Sequence, residues 1–206
     1  MKVELDTDAC VRRNVAYLPL YFVGYSLVGW IYEVILVIVR DGRFVNRGFL
    51  AGPWLPIYGV GGLLVYWLIY PHMNRTLMVS VGHRSFDAQP FLTLVLISCV
   101  AAAVELCSTY VLDFFHVDWT ALWQYYDFRW NFDGRIAILP SVVFGVCGWL
   151  MIKYVQPLLE SVQQQMHRKW VKWCYYVLIL MFTVDICVHL RIGSHYTDVA
   201  IWTFGH

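Results

Sequence analysis

Five long apolar runs dominate this chain and decide what it can fold into. They cover about 17–39, 53–70, 91–115, 136–155 and 171–190. Each is long enough to cross the ~30 Å hydrocarbon layer of a bilayer as a helix. The composition agrees: 60% of residues are apolar and 14% are charged, against about 45–50% and about 25% in a soluble domain. That balance excludes disorder, which needs few apolar residues and much charge. It also excludes an ordinary soluble domain. The fold expected is an all-α polytopic membrane protein with five transmembrane helices and one domain over 1–206. A net charge of +1 gives no footprint for a nucleic-acid partner.

The remaining composition adds little. None of the six cysteines is spaced as C-x-x-C, and most lie inside apolar runs as small hydrophobes. Glu4, Asp6 and Asp8 before the first run speak against a signal peptide. Lys and Arg set the expected orientation. Nine of them (Lys2, Arg12, Arg13, Arg75, Arg84, Lys153, Arg168, Lys169, Lys172) fall on the N-terminal side, and six (Arg40, Arg43, Arg47, Arg129, Arg135, Arg191) on the other. The expectation is a multi-pass protein of the bacterial cytoplasmic membrane, N-terminus inside and C-terminus outside. Trp119, Trp123, Tyr125, Tyr126 and Trp130 would form an interfacial belt on the outer side. The polar stretch 158–169 after Pro157 reads as a solvated connector or as a short cytoplasmic helix, and 72–90 is similarly ambiguous.

The chain repeats itself. Shifted by 86 residues, Gly48, Ala51, Gly59, Val60, Gly62, Leu64 and Pro71 land on Gly134, Ala137, Gly145, Val146, Gly148, Leu150 and Pro157, and Tyr58 meets Phe144. Shifted by 72, Ser26, Val28 and Glu33 land on Ser98, Val100 and Glu105. The reading is two repeated helical hairpins, about 17–71 and 91–157, plus one helix at about 171–190. Their pseudo-two-fold axis would run along the membrane normal, as in parallel-repeat transporters.

Glu33 and Glu105 are the residues of most consequence. A carboxylate inside an apolar helix faces the bundle interior or a wet cavity, because lipid cannot solvate it. Ser26, Gly29, Trp30 and Glu33 share one helix face, and Ser98, Ala101, Ala102 and Glu105 make the matching one. If those faces meet, the carboxylates would share a proton or a cation. The structural alternative is that each Glu pairs with an Arg and only fixes packing; Arg47 and Arg135 are the expected partners either way. With Asn46 and Asn131 these arginines would make an anion site, or else simply anchor headgroups and cap helices. The glycines and prolines of the second run suggest either a kinked helix lining a path or close packing. Asp185 and His189, four apart, suggest a proton relay or a local pair. No H-E-x-x-H, G-x-S-x-G, Walker A or EF-hand pattern is present, so the sequence leans away from an enzyme and implies no cofactor or metal.

Several of these motifs coincide with a known pattern. Tyr25-Ser26-x-x-Gly29-Trp30-x-x-Glu33 is one, and Asn46-Arg47-Gly48-Phe49-Leu50-x-Gly52-Pro53-x-x-Pro56-Ile57-Tyr58-Gly59-x-Gly61 is the most specific. Glu105, Trp123-x-Tyr125 and Asn131-x-x-Gly134-Arg135-Ile136 add to them. On these residues the chain resembles a family of small bacterial membrane proteins recorded as ABC-transporter permeases, of CmpB type or "type IV". It departs at Trp123-Gln124-Tyr125-Tyr126, where the family tends to read Trp-Asp-Tyr-Ser, and at Phe144-Gly145, where the family often has Trp-Gly. The resemblance implies membrane transport, with a separate ATPase subunit as partner beside the lipid bilayer. The function expected is a permease-like transport protein. Its outward-opening path would be lined by Glu33, Glu105, Arg47, Arg135, Asn46 and Asn131, with Ser26, Trp30 and Tyr58 beside them. A homodimer would thicken the thin wall that five helices make. The alternatives are a membrane enzyme acting on a lipid-linked headgroup and a non-catalytic assembly or sensor protein.

Overall fold

Helix follows the apolar runs wherever proline and glycine leave it room. A computed structural model describes residues 17–46, 52–73, 75–81, 84–166 and 168–192. Helix α1 is Leu18–Asp41, with a proline in its first turn where the missing N–H costs nothing. Helix α2 is Pro56–Leu68 and is followed by a 3-10 turn at Tyr70–His72. Helix α3 is Gln89–Phe114. Helix α4 is Ile138–Leu150; it continues through a π turn at Met151–Val155 into α5, Gln156–Gln165. Helix α6 is Arg168–Ile192. Two antiparallel hairpins complete the set: β1 (Met78–Val81) with β2 (Arg84–Asp87), and β3 (Asn131–Phe132) with β4 (Ile136–Ala137).

Among the described residues four helical stretches are long and apolar enough to cross a membrane: Leu18–Asp41, Gln89–Phe114, Ile138–Gln165 and Lys169–Cys187. The second expected span differs. At 13 residues, α2 is about 20 Å long, short of the ~30 Å layer. Its start is delayed because Pro53 and Pro56 keep the residues before them out of the helical region. The fourth run differs in the other direction, since Pro157 does not end it. The π turn closes with the Gln156 N–H on the Met151 carbonyl, a wider loop that leaves room for the proline ring. Of the two readings of the polar stretch after Pro157, the structure has the helical one, as α5. The protein is mostly helical, as expected, with short paired strands at Met78–Val81 and Arg84–Asp87 and at Asn131–Phe132 and Ile136–Ala137.

Contacts divide the chain into two compact units, Met1–Gly59 with Leu159–His206, and Val60–Leu158. In the first, Phe22 of α1 meets Phe182 of α6 at 5.6 Å, and Trp54 stacks on Phe182 at 5.3 Å. Tyr21, fully buried, donates its hydroxyl to Gln163. A side chain on Gly59 would overlap Ser26 Oγ and lie 2.6 Å from the Phe22 ring. In the second unit α3 packs on α4, where a side chain on Gly145 would overlap Ser98 Oγ and lie 3.3 Å from the Leu94 carbonyl. Small residues thus let helices close on one another where lipid offers no hydrophobic drive. The outward surface is apolar: Val39 is 79% exposed and Phe114 77%. So much unpartnered apolar surface fits lipid, not water.

Gly145→Val should therefore cost about 1–3 kcal/mol through overpacking. At Gly61 a Cβ would meet nothing within 4 Å, so Gly61→Ala should be neutral or gain up to ~1 kcal/mol of helix propensity. Thermal unfolding of both variants in lipid nanodiscs checks this; equal losses would contradict the packing described.

Candidate functional site

The first glutamate is held from one helix turn away. Gly29 of α1 presents no side chain, and a Cβ there would lie 2.5 Å from Tyr58 Cβ. That bare seat lets the Tyr58 side chain lie on α1 and donate its hydroxyl to Glu33 Oε1 at 2.6 Å. The start of α2 is fixed to the same face, with the Leu55 N–H on the Ser26 carbonyl at 3.1 Å. Trp30 donates its indole N–H to Asn46 Oδ1 at 2.6 Å and meets Phe44 edge-on, folding the chain after α1 back along the helix. Ser26, Trp30, Glu33, Asn46 and Tyr58 are thus brought together within one unit. Arg47 lies outside the described residues.

A third acid supports this arrangement. Asp185 of α6, 7% exposed, accepts from the Gly52 N–H and from Trp54 Nε1, both at 2.9 Å. It clamps the segment that leads into α2. A relay with His189 is one expectation from the sequence; the side chain of His189 lies outside the described residues, and what Asp185 shows is a structural clamp.

The second glutamate is held by a loop. Glu105 of α3 is 7% exposed and accepts from the Tyr125 hydroxyl at 2.8 Å. Tyr125 supplies that hydroxyl from the segment between α3 and α4. The loop is knitted to do so. Asp118 caps the 3-10 turn at Trp119–Ala121, accepting from the N–H and hydroxyl of Thr120. The hydroxyl bond and then the N–H bond of Thr120 hold the Asp118 carboxyl below its ordinary pKa. Asp133 and Gly134 turn the β3–β4 hairpin at φ values of 51° and 65°, a left-handed region that Asp tolerates and Gly adopts freely. The Tyr125 N–H then bonds the Gly134 carbonyl at 2.9 Å. Asn131 serves the turn, accepting from the Gly134 N–H at 3.0 Å and donating to the Phe128 carbonyl at 2.6 Å.

Arg135 latches this loop to the end of α3. Its guanidinium lies 2.6 Å from Asp113 and 3.3 Å from Asp133, between the rings of Tyr110 and Trp119 at 4.7 and 4.8 Å. The hydrogen bond to Asp113, with help from Asp133, raises its pKa further above the ordinary arginine value. The sequence suggests pairing with Glu105; Asp113 and Asp133 are the carboxylates that engage Arg135. Sequence reading misses Asp113, Tyr125 as the donor to Glu105, and the Asp185 clamp. For Asp185 the signal is the one used for Glu33, an acid inside an apolar run. Among the described residues no group of three His, Cys, Asp or Glu could hold a metal ion.

A family model described as "Putative ABC-transporter type IV" matches residues 20–190. No curated protein and no solved structure matches the chain.

The Arg135 latch gives a prediction. Lysine keeps the charge but loses the planar fork and the stacking between two rings, so Arg135→Lys should lower the melting temperature nearly as far as Arg135→Ala. A raised folded-state pKa leaves the contribution complete below the unfolded value and removes it only as pH climbs past that value. The difference between wild type and Arg135→Ala should therefore stay constant from pH ~7 to ~11, since free arginine titrates above ~12. Melting curves across that range check both statements; a lysine variant as stable as wild type would contradict the first.

Proposed function

The chain belongs to the ABC-transporter type IV family, and we propose that it acts there as a permease-like membrane transport protein. The observation that carries this reading is the pair of glutamates in apolar helices, each accepting a tyrosine hydroxyl: Glu33 from Tyr58, Glu105 from Tyr125. A carboxylate held by a neutral phenol can exchange that donor, worth about 1.5–3 kcal/mol, for a proton or a cation that binds it more strongly. Displacing the tyrosine and binding the ion are thereby one event, which is what coupled transport requires.

The repeat supports the same reading. Ser26 meets Gly59 in one unit and Ser98 meets Gly145 in the other, the pairs that the two sequence shifts equate. We take the architecture to be two like-oriented helical hairpins, with α2 completing the first as a fifth span and α6 added outside the repeat. The N-terminus would be inside, and both glutamates would lie toward the outer ends of their helices. Ser26, Trp30, Asn46, Tyr58 and Arg47 would line the path beside Glu33. Asn131 and Arg135 would shape the loop over Glu105, with their own polar groups committed to that loop. This counts against a phosphate-holding role for Arg135 and so against the lipid-enzyme alternative. A separate ATPase would drive the cycle, and a second copy of the chain would complete the wall.

The test is purification from native membranes in mild detergent. An ATPase should co-purify, with vanadate-sensitive hydrolysis. Glu33→Gln and Glu105→Gln should each cut that hydrolysis about tenfold or more, the equivalent of ~1.4 kcal/mol, while remaining monodisperse. Proton flux in reconstituted vesicles without any ATPase would instead support an ion-coupled carrier. Loss of folding in both variants with no separable activity defect would reduce the glutamates to packing residues.

A further inference from the structure

We propose that the β1–β2 hairpin is an interfacial element that binds acidic phospholipid beside the N-terminal end of α3. The inference stands apart from the transport reading and needs only that α3 crosses a membrane.

The hairpin is not a free loop. Asp87 Oδ1 accepts from the backbone N–H of Leu77 at 2.9 Å and of Gln89 at 3.0 Å. The Ala88 N–H donates to the Leu77 carbonyl at 2.8 Å, and Gln89 Nε2 reaches the His72 carbonyl at 2.8 Å. Gln89 opens α3, a 26-residue helix long and apolar enough to cross. Both strands are thus tied to the first turn of a span. Four residues of strand rise about 13 Å, so the hairpin stays within the headgroup layer and its margin.

Its chemistry suits that layer. The register pairs Val79 with Phe86 and Ser80 with Ser85. Alternation puts Arg84 on the face of Phe86 and the serines on the other. Phe86 is 52% exposed on the face it shares with Arg84; Met78, 61% exposed, lies on the face of Ser80. Arg75 and Arg84 are exposed and form no ion pair among the described residues. The nearby carboxylate of Asp87 is spent on backbone N–H groups. Exposed apolar side chains beside unmatched arginines, pinned at the end of a span, are complementary to acyl chain and lipid phosphate together. Arginine binds phosphate bidentately, which adds geometry to the charge.

The experiment uses the full chain with its native cysteines replaced by serine. A single spin label is placed through Phe86→Cys or Ser80→Cys. Each protein is reconstituted in phosphatidylcholine vesicles with and without phosphatidylglycerol, and label depth is read from collisions with oxygen and a water-soluble nickel complex. With phosphatidylglycerol, the label at position 86 should be shielded from nickel while the one at position 80 stays accessible. Adding Arg75→Gln and Arg84→Gln should lower the ratio of shielded to accessible label at position 86 about fivefold per arginine, as ~1 kcal/mol each implies, and leave neutral vesicles unchanged. Nickel access at position 86 in both vesicle types overturns the proposal. So does shielding that persists in detergent and ignores the arginines, which would mean a protein partner or a second copy. If the cysteine-free protein does not fold, native mass spectrometry replaces the labels. Wild type should retain more phosphatidylglycerol than the double arginine variant, and equal retention overturns the proposal.

Discussion

A carboxylate set in a helix of apolar residues needs a donor, and much of this structure answers that need. Glu33 and Glu105 lie in such helices, and each takes a phenol O–H. The tyrosines must be delivered from elsewhere, so the neighbouring backbone is shaped around them. Gly29 clears the seat for Tyr58. The 115–137 segment is bonded to itself and latched by Arg135 so that Tyr125 arrives over Glu105. Indole N–H groups do the same service nearby, Trp30 for Asn46 and Trp54 for Asp185. Aromatic side chains with a polar tip suit this setting because one end is content in lipid and the other supplies a donor.

The two glutamates are held by different means. Tyr58 belongs to a helix whose first turn is fixed to α1 through Leu55 and clamped through Asp185. Moving Tyr58 therefore means moving helix α2. Tyr125 belongs to a loop closed by an ion pair, and moving it means opening that loop. Of the two carboxylates, Glu105 is the more deeply buried.

The apolar helices were legible because hydrophobic length and the 3.6-residue period are local signals. The face of Ser26, Gly29, Trp30 and Glu33 was legible for the same reason. Element ends were harder. Pro53 and Pro56 shortened α2, as proline does, yet Pro157 was absorbed by a π turn that no local rule anticipates. The strands at 78–87 were missed because their alternation is only four residues long on each side, below what a helix-length window registers. Site partners were the least legible. Tyr125 lies 20 residues from Glu105 and Trp54 131 from Asp185, separations over which composition carries no information. Arg135 took Asp113 and Asp133, carboxylates at the end of α3 and in its own turn, which bind it without the cost of drawing a guanidinium into the bilayer.

The central claim is that Glu33 and Glu105 each accept a tyrosine hydroxyl. Double-mutant cycles test it most directly, pairing Glu33→Leu with Tyr58→Phe and Glu105→Leu with Tyr125→Phe, with unfolding followed in lipid nanodiscs. Direct bonds predict coupling of about 1–3 kcal/mol in each cycle. Additivity within ~0.5 kcal/mol in both cycles would contradict the account.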